Sequence, residues 1–278
     1  MAAHAAPVKL AWRVGAIEVP LLSAVGVPGY PGIDPALPAL AEALARGRLR
    51  PPLSSFVDFT GGPGAVLGLG HALSGVRGSM LAVSAAVRRT ALELGVDEAA
   101  CRADHPWDVP AASVDEVWWR PASERGWARF GAELAGWSRA LTAQGRLIAV
   151  WHKDQGARRA ERLVAERFET LEVVNRASGW RVVEARGPRA ETPDPWLSWD
   201  GPDGPMRTLV GTFAADRLDA GSALLLEALS AHETGGREAR SEACSEAPAD
   251  LAGRGCSTSA AVAGCWRAAR FARARHRC

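Results

Sequence analysis

Residues 54–75 read SSFVDFTGGPGAVLGLGHALSG, a short apolar strand followed by glycines and then by an Ala/Leu pattern typical of a helix. The strand ends at Asp58, and the turn after it contains Gly61, Gly62 and Gly64. Glycines let the backbone turn sharply and approach a ligand, and the first turn of a helix offers unpaired N–H groups. The junction therefore predicts a ligand-binding loop, although a tight turn without a ligand explains it at least as well.

The segments downstream alternate between strand and helix patterns. Strands are predicted at SMLAV (79–83), weakly around Cys101, at VDEVWW (114–119) and at RLIAVW (146–151), and helices at 84–95, 127–145 and 156–168. The next two strands, LEVVNR (171–176) and WRVVEAR (180–186), are separated only by ASG. They must pair antiparallel, because a parallel crossover needs about a dozen residues or more. We therefore predict an α/β fold over 53–187, a parallel sheet ending in an antiparallel hairpin.

The flanking segments suggest four regions. IDPALPALAEALARG (33–47) predicts a helix with Asp34 as N-cap and Gly47 as terminator, within an N-terminal extension of residues 1–50. The α/β domain follows at 51–190, and a linker with a further helix at 191–229. Apolar periodicity stops at residue 230, so we expect an irregular tail over 230–278, either disordered or translated out of frame.

Composition limits the function classes. The formal net charge is +2, no stretch has the length of a membrane span, and the N-terminus lacks the apolar core of a signal peptide. We therefore expect a cytoplasmic enzyme or binding protein that does not engage a membrane. Four cysteines (Cys244, Cys256, Cys265 and Cys278) lie in the tail at spacings that match no standard zinc finger, so we expect no metal site.

The junction at Asp58 resembles motif I of the class I S-adenosylmethionine (SAM)-dependent methyltransferases, an acid followed by alternating glycines. Gly62 and Gly64 occupy two of the glycine positions, and Thr60 stands at the first. The resemblance implies a Rossmann-like sheet and a SAM site at Asp58, the three glycines, Ser84 and Asp104. Ser84 stands where the family has an acid that holds the ribose, which implies weak binding because a hydroxyl cannot accept from both ribose hydroxyls. Asp104 is placed to meet the adenine amine, or else is an ordinary surface aspartate.

A second segment, TLVGTFAADRLDAGSALLLEAL (208–229), identifies the resemblance more narrowly. It is similar to the segment that leads into the catalytic copy of the tandem-domain 16S ribosomal RNA guanine-N2 methyltransferases. In that family the N-terminal copy is degenerate and the C-terminal copy binds SAM. The resemblance implies ribosomal RNA or the small ribosomal subunit as partner. We expect Asp219 to cap a helix beginning near Gly221, with Leu224, Leu225 and Ala228 on its buried side.

The predicted α/β domain contains no candidate catalytic residue for methyl transfer. Amino-group methyltransferases carry an Asn/Asp-Pro-Pro-aromatic motif after the fourth strand, where this chain has Arg120 and Pro121. Arg120, together with Lys153, Arg158 and Arg159 near the end of the fifth strand, forms a candidate RNA-binding set, although a solvated helix face explains the last three equally well.

Three hypotheses remain open from the sequence. The chain comes from a SAM-dependent rRNA methyltransferase whose catalytic half is missing or damaged, or it is a noncatalytic RNA-binding module. The third is an unrelated dinucleotide-binding α/β enzyme, which the antiparallel final hairpin and the absence of an acid after the second strand disfavour.

Overall fold

The computed structural model describes residues 6–52, 54–121, 125–201, 204–212, 217 and 219–228. The chain divides into two compact units, Met1–Arg217 and Leu218–Cys278. The predicted tail at 230–278, with its cysteines, lies outside the described residues. The four predicted region boundaries remain a prediction.

The first unit contains eleven strands and five α-helices among its described residues. The strands are β1 (Val8–Val14), β2 (Ile17–Ser23), β3 (Phe56–Phe59), β4 (Ser79–Leu81), β5 (Cys101–Arg102), β6 (Val114–Trp119), β7 (Leu141–His152), β8 (Phe168–Ala177), β9 (Trp180–Pro188), β10 (Trp196–Gly201) and β11 (Gly204–Leu209). The helices are α1 (Ala36–Ala45), α2 (Ala65–Ser74), α3 (Ala85–Glu93), α4 (Trp127–Ala140) and α5 (Ala157–Arg167).

Seven strands form one sheet in the order β5-β4-β3-β6-β7-β9-β8. The first five of these pair in parallel, whereas β9 is antiparallel to both β7 and β8. The predicted α/β fold class with its antiparallel hairpin is thus confirmed. A separate two-stranded hairpin, β10-β11, lies in the predicted linker.

The core occupies both faces of this sheet, as the alternation of neighbouring residues on β6 shows. Trp118 packs in a cluster with residues of α1, α2 and the β1-β2 hairpin, and Trp119 packs in the opposite cluster with residues of α4 and α5. Both indole side chains are at most 1% exposed. Both tryptophans fill the core, as their position in a predicted strand indicates.

Two local predictions need correction. The helix predicted to run to Gly145 ends at Ala140, because Leu141 already pairs with Val114 of β6 in the parallel sheet. The N-terminal extension contains the β1-β2 hairpin as well as α1. Its signal was the alternation of buried Trp12 and Val14 with exposed neighbours, followed by a two-residue turn at Gly15 and Ala16.

In the second unit the described residues include one helix, 220–228, which we label α6. The predicted cap is confirmed, because Asp219 Oδ1 accepts hydrogen bonds from the Gly221 and Ser222 amides at 3.0 and 3.1 Å. The predicted buried side is wrong: Leu224 and Leu225 are 66% and 61% exposed, and Ala228 is exposed. Amphipathic spacing marks a face suited to burial, but it does not supply the element that covers it.

Candidate functional site

A cavity of about 420 Å³ opens at the carboxyl ends of β3, β4 and β6, where open α/β sheets bind ligands. Its floor includes Thr60 and Gly61 after β3, and one side is formed by residues that follow β4, Ser84 among them. Another wall is the turn at residues 26–28, which follows β2. Residues far apart in the chain thus meet at the site that the sequence predicts.

The glycine loop has the backbone that its composition predicts. Gly61 and Gly64 have φ values of +77° and +81°, in the left-handed region that favours glycine. Gly64 is the N-cap of α2, and as a glycine it has no side chain that could cap the amides at the start of this helix. A Cβ on Gly61 would lie 3.3 Å from Pro28 Cγ, so the turn after β2 packs directly against the loop.

Asp58, on β3, holds this loop in place through hydrogen bonds. Its Oδ1 accepts from the Thr60 amide at 2.9 Å and the Thr60 hydroxyl at 2.7 Å, and both residues are buried. Burial raises the pKa of Asp58 from 3.8 to about 6, although the bonds from Thr60 and the amides at the start of α2 oppose the rise. Asp58 is not among the residues that line the cavity, and its bonds to Thr60 hold the loop in shape.

The two other predicted SAM residues separate in space. Ser84 lines the cavity as the N-cap of α3 and makes no side-chain cap bond. Asp104 does not line it, and its carboxylate is paired with Arg102. Neither of these two residues offers a carboxylate to the cavity, and the one carboxylate in its described lining is Glu133.

Arginines dominate the remaining wall. Arg120 follows β6, and its Nε lies 3.0 Å from Oδ2 of the buried Asp34, with the guanidinium 5.8 Å from the Trp180 ring centroid. Arg125 and Arg129 line the same cavity. Of the predicted RNA-binding residues, only Arg120 reaches this site.

Arg129 belongs to a buried network that sequence reasoning missed. Its Nε donates to Glu133 Oε1 at 2.6 Å, and Trp119 Nε1 donates to Glu133 Oε2 at 3.1 Å. Burial raises the pKa of Glu133, opposed by Arg129, and burial together with Arg129 lowers the pKa of His105, which lies 3.0 Å from Arg129. An Arg and a Glu four residues apart on a helix indicate a surface pair in sequence, so only packing reveals this one.

The other predicted RNA-binding residues form a separate exposed surface. Lys153 lies in the turn after β7, and Arg158 and Arg159 lie at the start of α5. All three side chains are exposed, and the Arg159 guanidinium stacks 4.6 Å from the Trp127 ring centroid. We call these three residues the α5 basic surface; none of them lines the cavity.

Within the described ranges, no helix combines the length and apolar character needed to cross a bilayer. The same part of the chain contains no cluster of three or more His, Cys, Asp or Glu side chains able to hold a metal ion.

Comparison with known proteins places this architecture. No protein-family model and no curated protein sequence matches the chain. Among solved structures it is similar to the T. thermophilus 16S rRNA N2 G1207 methyltransferase (RsmC) in complex with AdoMet and guanosine, at 25% identity and a TM-score of 0.63. That match covers 81% of this chain but 58% of the T. thermophilus chain, so this chain spans less than two thirds of its length.

A weaker similarity is to geranyl diphosphate C-methyltransferase from Streptomyces coelicolor A3(2), at 17% identity and a TM-score of 0.39, covering 54% of this chain and 77% of that one. The T. thermophilus match confirms the predicted resemblance to the 16S rRNA guanine-N2 methyltransferases and the class I methyltransferase fold. SAM is thereby supported as a cofactor of the proteins that share this fold.

Proposed function

We propose that the described α/β unit is the noncatalytic copy of a tandem-domain 16S rRNA guanine-N2 methyltransferase, and that it contributes rRNA binding rather than methyl transfer. The observation that supports this most directly is the lining of the cavity. Ser84 replaces the ribose-binding acid, and three arginines, of which Arg125 has no ion-pair partner among the described residues, line a site that would have to accept a sulfonium cation. The residues present do not fit SAM, so we derive no methyl-transfer step in this unit.

Methyl transfer to a guanine amine also requires groups that hold the amine in line with the methyl carbon. At the corresponding strand end this chain has Arg120, which is a donor only and cannot accept a hydrogen bond from an amine. Its ion pair with Asp34 holds the guanidinium group at this strand end. Positioning an amino group is therefore a task that this strand end does not support.

The α5 basic surface is the candidate contact for rRNA. Lys153, Arg158 and Arg159 present three exposed cations on adjoining turns, and phosphate contacts of this type supply sequence-independent affinity. The stacking of Arg159 on Trp127 restrains one of the three guanidinium groups and lowers the entropy lost on binding.

Calorimetry and RNA binding on the full chain test this function. We expect no SAM binding in the low micromolar range and no methylation of 16S rRNA or small subunits by this chain alone. Low-micromolar SAM affinity or methyl transfer would overturn the assignment of this unit as noncatalytic.

For the RNA role, the triple variant Lys153→Gln, Arg158→Gln, Arg159→Gln is compared with Lys9→Gln, Arg13→Gln, Arg48→Gln, which removes three exposed charges elsewhere. Binding of a 16S rRNA fragment should weaken in the first variant, and the slope of log K against log salt should fall by about 2, at ~0.7 per phosphate contact. The control should keep the wild-type slope. Equal losses in both variants would show that only net charge matters and would reject the α5 basic surface.

We further propose that residues 230–278 are translated out of frame, on the basis of the abrupt change in apolar pattern after residue 229. Translating the same DNA in its other two frames tests this. A strand followed by Asp-Xaa-Gly-Xaa-Gly would support the proposal, and its absence from both frames would count against it.

A further inference from the structure

Arginines outnumber carboxylates in the lining of the cavity beside the glycine loop, and the buried Asp34 that pairs with Arg120 is not part of that lining. The described lining contains three arginines, Arg120, Arg125 and Arg129, and a single carboxylate, Glu133. Both oxygens of Glu133 are already bonded, one to Arg129 and one to Trp119, and its side chain is 3% exposed. Glu133 is therefore buried and neutralises Arg129, so its charge is already compensated within the protein. An anion is the better complement to this wall.

The side chain of Arg120 is restrained by two contacts within the protein. Its Nε lies 3.0 Å from Oδ2 of Asp34 in an ion pair, its guanidinium carbon lies 5.8 Å from the Trp180 ring centroid, and its side chain is 18% exposed. No hydrogen bond to the described residues uses its terminal nitrogens. An arginine whose rotamer is already fixed loses little entropy when those nitrogens bind a phosphate bidentately.

Arg125 supplies a second cation to the same cavity. It is exposed, and it forms no ion pair with the residues that the structure describes. The N-terminus of α3 adds backbone N–H groups without a side-chain cap at Ser84, on another side of the same cavity. Helix N-termini and arginines both favour phosphate oxygens.

The rest of the lining is apolar. Val27, Leu81 and Val87 line the cavity between the turn after β2 and the start of α3. The volume of about 420 Å³ falls in the range of small-ligand sites, which combine apolar walls with a few polar anchors. Such walls suit the flat face of a nucleobase, while the arginines suit the phosphate joined to it.

We propose that this cavity binds a phosphate-bearing nucleotide, with the phosphate at Arg120 and Arg125 and the base against the apolar wall. The ligand is either a free nucleotide or one nucleotide of an RNA strand, since the chemistry recognised is the same. The proposal depends on the proposed function only in that SAM must not occupy the cavity.

Calorimetry on the full chain tests the site with GMP, CMP, guanosine and a 5′-phosphorylated RNA trinucleotide as probes. We expect the phosphorylated probes to bind and guanosine to bind at least tenfold more weakly. Arg125→Gln should weaken GMP binding by about tenfold or more, since it removes a charge-assisted contact. Arg125→Lys should fall between the two, because it keeps the charge and loses the planar fork. Arg13→Gln, an exposed charge on the β1-β2 hairpin, should bind as wild type does.

The binding results distinguish a free nucleotide from an RNA strand and show which of the two proposals fails. A trinucleotide that binds at least tenfold tighter than GMP identifies an RNA strand as the source, and equal affinities identify a free nucleotide. No binding of any phosphorylated probe at millimolar concentration, equal binding of guanosine and GMP, or an equal loss in Arg13→Gln would overturn the nucleotide site. Low-micromolar SAM affinity would instead overturn the preceding functional proposal, so the two failures are distinguishable.

Discussion

Replacing Asp58 by Asn should change how the stability of the domain depends on pH. The wild-type carboxyl is fully buried, and burial raises its pKa from 3.8 to about 6. Asn keeps an oxygen that can accept from the Thr60 amide and hydroxyl, so the loop bonds at 2.9 and 2.7 Å can persist. What the substitution removes is the cost of ionising a buried carboxyl.

The sign follows from proton binding. Between pH 3.8 and about 6 the folded state holds a proton on Asp58 that the unfolded state has released, so stability falls as pH rises through this window. At 1.36 kcal/mol per pKa unit, the full loss is about 3 kcal/mol, present below pH 3.8 as extra stability and gone above about pH 6. Of this, roughly 2 kcal/mol should develop between about pH 4.5 and 7.5.

Urea unfolding of the wild type and of Asp58→Asn at several pH values measures the effect. The difference in unfolding free energy between the two proteins should move by roughly 2 kcal/mol in favour of the variant from about pH 4.5 to 7.5. Other buried carboxyls, such as Glu116 on β6 and Glu133 on α4, are present in both proteins and cancel in the difference. A difference that is flat with pH, or that moves in favour of the wild type, would refute the assignment of a raised pKa to Asp58.

Two further substitutions test the packing around the site by urea unfolding at pH 7. Gly64→Ala should lower the unfolding free energy by about 1–3 kcal/mol, because φ is +81° and the new Cβ would lie 2.8 Å from Val96 Cγ2. Gly62→Ala should be nearly neutral, because the nearest contact of its new Cβ is at 3.5 Å. Equal losses of stability in the two variants would contradict this reasoning. Arg129→Met should cost about 3–5 kcal/mol by leaving Glu133 buried and unpaired, and adding Glu133→Gln should recover part of it. A loss below about 1 kcal/mol in the single variant would show that the pair is not a buried one.

Local chemistry made much of the fold predictable. The antiparallel pairing of β8 and β9 followed from a connection too short for a crossover, and the cap at Asp219 followed from side-chain chemistry within one turn. The end of α4 did not follow, because Leu141 continues the apolar spacing of the helix while its pairing with Val114 draws it into the sheet. A long-range pairing can override a local period, and one sequence does not show which pairing forms.

Neighbouring residues alone specify the alternation of strands and helices, the glycine loop after Asp58 and the absence of an acid at Ser84. Long-range packing, in contrast, brings Arg120 and Arg129 into one cavity with Ser84 and with the turn at residues 26–28. The same packing buries Glu133 and gives each of its oxygens a hydrogen bond instead of leaving the side chain in solvent. Charge and shape in a cavity depend on which distant segments the sheet brings together, and hydrophobic periodicity carries no information about those neighbours.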